Sequence, residues 1–258
     1  MSSLGLQSVL AVLREMREGS RDEGSLALGG AAELVTLLAR ELADGGDETA
    51  LAPDGQLEDA VALIWIGEPD ETQLRAAASA GLAIVGVTDG KSLPYVLDTN
   101  LVVLEPGQGL PVDAIARALA RALDGHSATS LAARLPSLRD AVIDGLIQNC
   151  ARRNGLIAAA VFVPGADLPA LTLNEIRLVL AIALANGCEL GIGRVPDVLG
   201  VLGAGYSSRR LARSVYGLVP FGGFAVKGAV AYAATKAIGE AARTRFVIGD
   251  ERSVRPRT

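Results

Sequence analysis

Short apolar runs alternate with amphipathic stretches through the first half of the chain. The runs are LALGG at 26–30, ALIWIG at 62–67, LAIVGVTDG at 82–90 and LVVLEP at 101–106. Short runs with so few polar positions are typical of strands buried on both faces. Because the stretches after them have helical spacing, they predict a parallel sheet with helices on both sides.

Three helices are predicted among these strands: one at 31–43, a short one ending at Gly81, and one beginning at Pro111. Proline is common at the first position of a helix, where its missing N–H costs nothing. The sequence therefore predicts a small, Rossmann-like α/β domain at 25–126, preceded by an N-terminal helix and connector at 1–24.

Strand-like runs fade after about residue 127, and helical spacing continues. Helices are predicted at 136–153, 173–186, 196–203, 207–216 and 222–246. We expect an all-helical bundle at 127–246 and a flexible polar tail at 247–258. The predicted fold class of the whole chain is α/β plus all-α.

Three sequence signals suggest where these helices begin and end. Thr172 and Glu175 have the spacing of a capping box, which predicts a helix that starts after Thr172. Asn154–Gly155 and Asn186–Gly187 are interpreted as helix ends, because both residue types accept the left-handed conformation that follows a helix.

The last predicted helix has small residues at every fourth position. Such an edge lets another helix approach closely, both in membranes and in soluble bundles. The residues are Ala225, Ala229, Ala233, Ala237 and Ala241.

The segment Ser214 to Thr235 has the length of a membrane span, which needs about 20 apolar residues. Its only charge is Lys227, which costs roughly 2.5–3.5 kcal/mol at the centre of a bilayer. Pro220 and the two glycines that follow at 222–223 favour a turn between helices. We therefore favour a soluble or peripheral bundle, with an integral membrane protein as an alternative.

Charge is divided unevenly along the chain. Residues 1–125 contain 20 acidic and 8 basic residues, a net charge of −12, and residues 126–258 contain 9 and 16, a net charge of +7. The two halves could attract each other, or the basic half could meet an anionic membrane surface. Nucleic acid is not expected as a partner, because the bases are dispersed and aromatics make up only 3% of the chain.

Several charged residues of the basic half are candidates for interaction. Arg177 lies in an apolar helical stretch, so we expect it to be partly buried and paired, with Asp167 as a candidate partner. Lys227 is a further candidate. A basic ridge is predicted on the helix at 207–216, formed by Arg209, Arg210 and Arg213.

The turn after the first strand has the local plan of a phosphate-binding loop. Gly29 and Gly30 end an apolar strand and precede a helix, where backbone N–H groups point at an anion in nucleotide-binding folds. The turn lacks the lysine and hydroxyl residue of a P-loop and the third glycine of a dinucleotide fingerprint. We therefore expect these glycines to serve the turn, with no cofactor bound.

Two further strand ends carry polar residues. Glu68, Asp70 and Glu71 follow the second run, where they could bind a cation, although caps of the next helix are the simpler expectation. Thr88 and Asp89 follow the third run and are candidates for ribose or base contacts, or for an ordinary turn.

The remaining candidate chemistry is sparse. His126 is the only histidine, no nucleophile motif lies near it, and Cys150 and Cys188 do not have metal-ligand spacing. The two cysteines indicate a reducing, cytoplasmic environment. The N-terminal stretch becomes charged after one short apolar run, so we expect no secretory signal.

Residues 25–124 resemble a reduced G domain of the translation-factor-related GTPases. LALGG stands at the phosphate loop, ALIWIGEPDE at the magnesium-contacting motif, LAIVGVTDGK at the guanine-reading motif, and VVLEPGQGLPVDAIARAL at the last strand, loop and helix. The Walker lysine, the Asp-x-x-Gly motif and the Asn-Lys-x-Asp motif are all absent. This resemblance implies a degenerate nucleotide fold.

Residues 135–246 resemble the YcjF-type domain of unknown function that accompanies GTPases. The matching stretches are FVPGADLPALTLNEIRLVLAIALANG, RVPDVLGVLGAGYSSRRLARSVYG and VPFGGFAVKGAVAYAATKAIGEAARTRF. The resemblance implies an all-helical, GTPase-associated module, found in some membrane-bound proteins, and supplies no catalytic residue.

Together these observations predict a non-catalytic regulatory or scaffold protein, a pseudo-GTPase followed by its companion module. The expected location is the cytoplasm or a membrane surface, and the expected partner is a GTPase, a second copy of the chain or an anionic membrane. The alternative is a nucleotide-binding enzyme with an atypical site at 29–33, 67–71 and 88–91.

Overall fold

The computed structural model describes residues 10–14, 16, 24–52, 55–160, 168–188, 200 and 223–253. The chain divides into two compact units. The first, here called the α/β unit, comprises Ser20–Gly145. The second, here called the helical unit, comprises Met1–Gly19 together with Leu146–Thr258. The predicted fold class, α/β plus a helical part, is confirmed.

The α/β unit contains five parallel strands: β1 (Ser25–Gly30), β2 (Leu51–Ala52), β3 (Ala60–Ile66), β4 (Ala83–Thr88) and β5 (Leu101–Val103). Their order in the sheet is β2-β1-β3-β4-β5. This is a doubly wound order of the flavodoxin-like type. The two-residue strand β2 lies outside the runs that the sequence analysis identified. The helices of this unit are α1 (Ala32–Ala43), α2 (Glu71–Ser79), α3 (Val112–Ala122) and α4 (Gly125–Arg134).

Helices cover both faces of the sheet, as the uniformly apolar strands predict. On one face Leu63 and Trp65 of β3 pack in a cluster with Leu74 and Ala77 of α2. Alternate residues of a strand point to the opposite face, where α1 contacts β1 and α3 contacts β4. Both sets of β3 side chains are buried, so little of the central sheet meets solvent.

The α/β unit continues past residue 126, where the sequence analysis places the end of the α/β domain. Asp124 caps α4 by accepting hydrogen bonds from the N–H groups of His126 and Ser127. Leu131 and Leu135 are fully buried. Because this helix buries its apolar side within the unit, the compact unit includes it and ends at Gly145.

The helical unit is described through three long helices: α5 (Arg139–Ala160), whose first residues belong to the α/β unit, α6 (Leu168–Ala185) and α7 (Gly223–Ser253). Ala158 of α5, Leu171 of α6 and Ala231 of α7 pack in one apolar cluster. Of the helices in the described part of the chain, none is long and apolar enough to cross a membrane. The helices predicted at 196–203 and 207–216 lie outside the described residues, apart from Gly200.

Asn154–Gly155 does not end a helix, and this expectation was wrong. α5 runs through both residues to Ala160. The side chain of Asn154 is fully buried and donates a hydrogen bond to Thr235 Oγ1 of α7 at 2.9 Å. Gly155 lies against the backbone of Gly228. The pair marks a contact between two helices instead.

The predictions for the start and the end of α6 had different outcomes. Thr172 is not the N-cap as expected, because α6 already begins at Leu168. The other end is confirmed at Asn186–Gly187: Gly187 has φ 73° and its N–H donates to Leu184 O at 2.7 Å. The next N–H, of Cys188, donates to Ala183 O at 3.0 Å, the bond pattern of a Schellman motif.

The alanine edge of α7 is exposed and lies against no other helix of the described part of the chain. The closely packed side of α7 includes Gly228, Ala231 and Thr235. On this side Gly228 lets the backbones of α5 and α7 approach, and Gly239 lies against Ile147 of α5. The exposed alanines are Ala225, Ala229, Ala233, Ala237 and Ala241.

Candidate functional site

The carboxyl ends of β1, β3 and β4 lie at one edge of the sheet. The chain leaves β1 into α1 on one face and leaves β3 into α2 on the other, so a crevice opens between these two strand ends. Ligands of doubly wound folds bind at such a switch point. The structure therefore brings together the three candidate segments 29–33, 67–71 and 88–91.

Gly29 and Gly30 are both required by close packing. A Cβ on Gly29 would lie 2.7 Å from Cζ3 of Trp65, on the neighbouring strand. Gly30 has φ 111°, and a Cβ there would lie 2.0 Å from the carbonyl oxygen of Ile66. Contact with β3 therefore accounts for both glycines.

The first turn of α1 faces this edge without a side-chain cap. Ala31 occupies the N-cap position and makes no side-chain hydrogen bond. Next to it is Gly67, with φ 96°, where an added Cβ would lie 3.6 Å from Ala31 Cβ. Free N–H groups and the helix dipole favour an anion here, while Glu33 in the same turn opposes one.

The acidic residues after β3 each have a partner within the fold. Asp70 caps α2 by accepting hydrogen bonds from Thr72 N at 2.9 Å and Gln73 N at 3.2 Å, as the helix-cap interpretation expected. Glu71 pairs with Arg75 one turn along α2. Within the described ranges, no group of three His, Cys, Asp or Glu side chains is placed to hold a metal ion.

Thr88 and Asp89 form a closed turn after β4. Thr88 is buried, and its Oγ1 donates to Lys91 O at 2.8 Å and accepts from Gly90 N at 3.2 Å. Lys91 Nζ lies 3.1 Å from both Asp89 Oδ2 and Glu68 Oε1. The hydrogen bonds that Lys91 donates to Asp89, first, and to Glu68, second, raise its pKa. This lysine links the turn after β4 to the turn after β3.

Trp65 supports the crevice and is missing from the sequence-based candidates. Its ring covers Gly29, and its Nε1 donates to Glu68 O at 2.9 Å. This bond holds the turn that follows β3. The available signal was the position of the chain's single tryptophan, two residues before the glycine that ends an apolar run.

His126 and the cysteines do not combine into a catalytic group in the described part of the chain. His126 is exposed on the first turn of α4. The Cys150 thiol donates to Asn174 O at 3.6 Å, and burial raises its pKa to about 11. Cys188 is half-buried just after the end of α6. A thiol with a raised pKa is a poor nucleophile.

The predicted interaction residues lie partly outside the described chain. Arg177 is partly buried on α6, as expected, and Lys227 is partly buried on α7. Asp167, the candidate partner of Arg177, lies outside the described residues. So does the predicted basic ridge of Arg209, Arg210 and Arg213.

A buried polar chain crosses the helical unit, and sequence reasoning missed it. Asn174 Nδ2 donates to Asn154 Oδ1 at 2.8 Å, and Asn154 Nδ2 donates to Thr235 Oγ1 at 2.9 Å. Thr235 Oγ1 in turn donates to Glu175 Oε1 at 3.3 Å. These four side chains join α5, α6 and α7. The only sequence signal was polar residues at positions that helical spacing assigns to the core.

Comparison with known proteins adds no relative. No protein-family model matches the sequence, and no curated protein or solved structure is significantly similar to it. The resemblances to G domains and to YcjF-type domains therefore stay predictions from the quoted motifs.

Proposed function

We propose that the protein is a non-catalytic regulatory or scaffold protein, in which a degenerate nucleotide-fold unit precedes a helical, GTPase-associated module. On this proposal the α/β unit retains the architecture of a nucleotide-binding fold and works by presenting surfaces to partners. Candidate partners are a GTPase or a second copy of the chain, and an anionic membrane surface for the basic half.

The observation that carries the proposal is the state of the polar side chains at the switch point. Asp70 caps a helix, Thr88 closes a turn, and Glu68 and Asp89 pair with Lys91. Catalytic groups are usually aimed at substrate and have pKa values tuned by their surroundings. Side chains engaged in capping and turn formation fit a structural edge better.

The charge distribution supports an interaction role. The α/β unit contains 20 acidic and 8 basic residues, a net charge of −12, and the helical unit contains 9 and 16, a net charge of +7. The charge asymmetry thus follows the two compact units. Opposite fields of this size favour distinct partners for the two units.

Calorimetry with GTP, GDP and ATP in the presence of magnesium tests the non-catalytic role. We expect neither binding in the micromolar range nor hydrolysis. Micromolar binding of any of these nucleotides, or their hydrolysis, would contradict the proposal. Sedimentation with anionic vesicles tests the membrane partner: we expect pelleting at low salt that high salt reverses, whereas pelleting that survives carbonate would indicate an inserted protein.

A second candidate function is anion or nucleotide binding at the switch point. It is favoured by the uncapped first turn of α1 beside Gly30 and Gly67. If it is correct, Glu33→Gln strengthens binding of inorganic phosphate or ADP, because the substitution removes the opposing carboxylate. A thermal shift with these ligands that is equal in both variants would exclude a site at this turn.

A further inference from the structure

Three exposed large apolar side chains belong to one short stretch of the α/β unit. Tyr95 is 48% exposed, Leu97 is 69% exposed and Val103 is 55% exposed. Single exposed apolar residues are normal on a surface, but a cluster of them marks an interaction site.

Val103 and the segment around Val96 lie on the same face of the sheet. A Cβ added to Gly86 of β4 would meet Leu101 Cδ2 at 2.9 Å and Val96 Cγ1 at 3.5 Å. The segment around Val96 therefore packs on the face to which Leu101 of β5 points. Val103 is two residues further along β5, so its side chain points to that face as well.

Within the described residues, no strand pairs with the outer side of β5. β5 pairs with β4 along its other side, where Leu104 N donates to Thr88 O at 2.6 Å. Because the backbone groups of successive strand residues point to opposite sides, the N–H and C=O of Val103 point away from β4. An edge of this kind is a template for an added strand.

Charge indicates what kind of strand fits. Asp98 and Glu105 flank β5 at its two ends, and both are exposed. A second copy paired antiparallel at β5 would bring Asp98 of one copy to Glu105 of the other, and the two α/β units would each carry −12. Like charges in this position repel, whereas a strand with basic ends is attracted.

We propose that the β5 edge binds an extended, basic segment of a partner protein by strand addition. Main-chain bonds to Val103 supply the register, and Leu97 and Val103 contact alternate apolar side chains of the added strand. Lysines or arginines at its ends meet Asp98 and Glu105. This inference rests on the proposed scaffold role and names the chemistry of its partner.

The test is a titration of the full-length protein with a capped peptide, Lys-Val-Thr-Val-Thr-Val-Lys, followed by amide NMR and calorimetry. We expect shifts confined to β5 and its flanks, and weaker binding of the same peptide with glutamates in place of the lysines. Leu97→Asp and Val103→Pro each weaken binding about five- to tenfold, the value of one or two net hydrogen bonds or a lost apolar contact.

Leu37→Asp, at an exposed leucine of α1, is the matched control and leaves the affinity unchanged. Absence of binding at millimolar peptide, equal binding of the glutamate peptide, or full affinity in folded Leu97→Asp overturns the proposal. Because the titration contains no nucleotide, failure here is separate from failure of the non-catalytic role, which nucleotide calorimetry decides.

Discussion

Gly155 of α5 and Gly228 of α7 lie backbone against backbone. A Cβ added to Gly228 would be 2.9 Å from the carbonyl oxygen of Gly155, and a Cβ added to Gly155 would be 3.1 Å from that of Gly228. A methyl group at Gly228 would push on backbone, which cannot rotate away. The close approach of the two helices therefore depends on both glycines.

Gly228→Ala should lower the free energy of unfolding by about 1–3 kcal/mol, the usual cost of overpacking. The matched control is Gly145→Ala in α5, where the added Cβ makes only ordinary contact with Ala120 at 3.8 Å. That substitution should raise stability by about 0.4–1 kcal/mol, since alanine loses less backbone entropy than glycine. Urea unfolding followed by circular dichroism measures both. Equal effects at the two sites would contradict the close approach.

Thr235→Val should destabilise the helical unit by about 1–3 kcal/mol, because it removes a buried hydroxyl that bonds to Asn154 and Glu175. Thr244→Val on the same helix is the control. Its hydroxyl is exposed and bonds only to Glu240 O, so the change should stay within about 0.5 kcal/mol. A double-mutant cycle with Asn154→Leu should give strong coupling, and additive effects would argue against the polar chain.

Arg134→Met should lower stability at neutral pH and have a smaller effect in acid. Arg134 bonds to Asp47 at 2.9 Å and to Gly24 O at 3.3 Å. Hydrogen bonds from Thr49 first and from Arg134 second hold the pKa of Asp47 below its ordinary value of 3.8. A carboxyl group whose pKa is lowered by folding contributes stability that is fully present when the pH is above its pKa in the unfolded chain. That contribution is lost as the pH falls through its pKa in the folded protein.

The matched measurement compares wild type, Arg134→Met and Asp47→Asn by thermal melting at neutral pH and below pH 3.8. Asp47→Asn should lower the stability at neutral pH by about 1 kcal/mol or less, because the carboxylate is partly exposed. This loss of stability should be smaller in acid. Asp44→Asn, which replaces an exposed carboxylate nearby in the sequence, should leave the stability unchanged. A deficit of Asp47→Asn that stays constant with pH would show that its charge is unimportant.

Gly29→Ala should destabilise the α/β unit by about 1–3 kcal/mol, because its Cβ would enter the space of the Trp65 ring. Gly81→Ala is not a suitable control, since Gly81 has φ 76°. Gly109→Ala is suitable: nothing lies within 4 Å of its added Cβ and its φ is ordinary. Differential scanning calorimetry should show a lower transition temperature for Gly29→Ala and an unchanged one for Gly109→Ala. A larger side chain tolerated at position 29 would mean that Trp65 can move.

The sheet was predictable because its long strands are apolar at nearly every position. β3 needs no context to be identified, and its parallel neighbours follow from the intervening helices. β2 escaped prediction because two residues are too few to show any periodicity. Sequence also located the three polar segments of the switch point, since they follow strand ends, but it did not place Trp65 over Gly29.

In the helical unit the local signal at Asn186–Gly187 succeeded, but other local signals failed where contacts between distant residues decide. Asn154–Gly155 has the composition of a helix end, yet the buried bonds of Asn154 to α6 and α7 keep it inside a helix. Likewise, the five alanines were the visible small-residue edge of α7, but the side of α7 that packs against α5 carries Gly228, next to Gly155, and Gly239, next to Ile147. Such choices depend on partners far apart in sequence, 20 and 81 residues for the two bonds of Asn154.

The position of Trp65 provides a spectroscopic label without engineering. It is the single tryptophan of the chain, and it lies in the core of the α/β unit. Selective excitation of indole emission therefore reports on that unit alone, while far-ultraviolet ellipticity sums over both. If the two signals change at different denaturant concentrations, the units unfold independently; coincident transitions would mean that they unfold as one cooperative system.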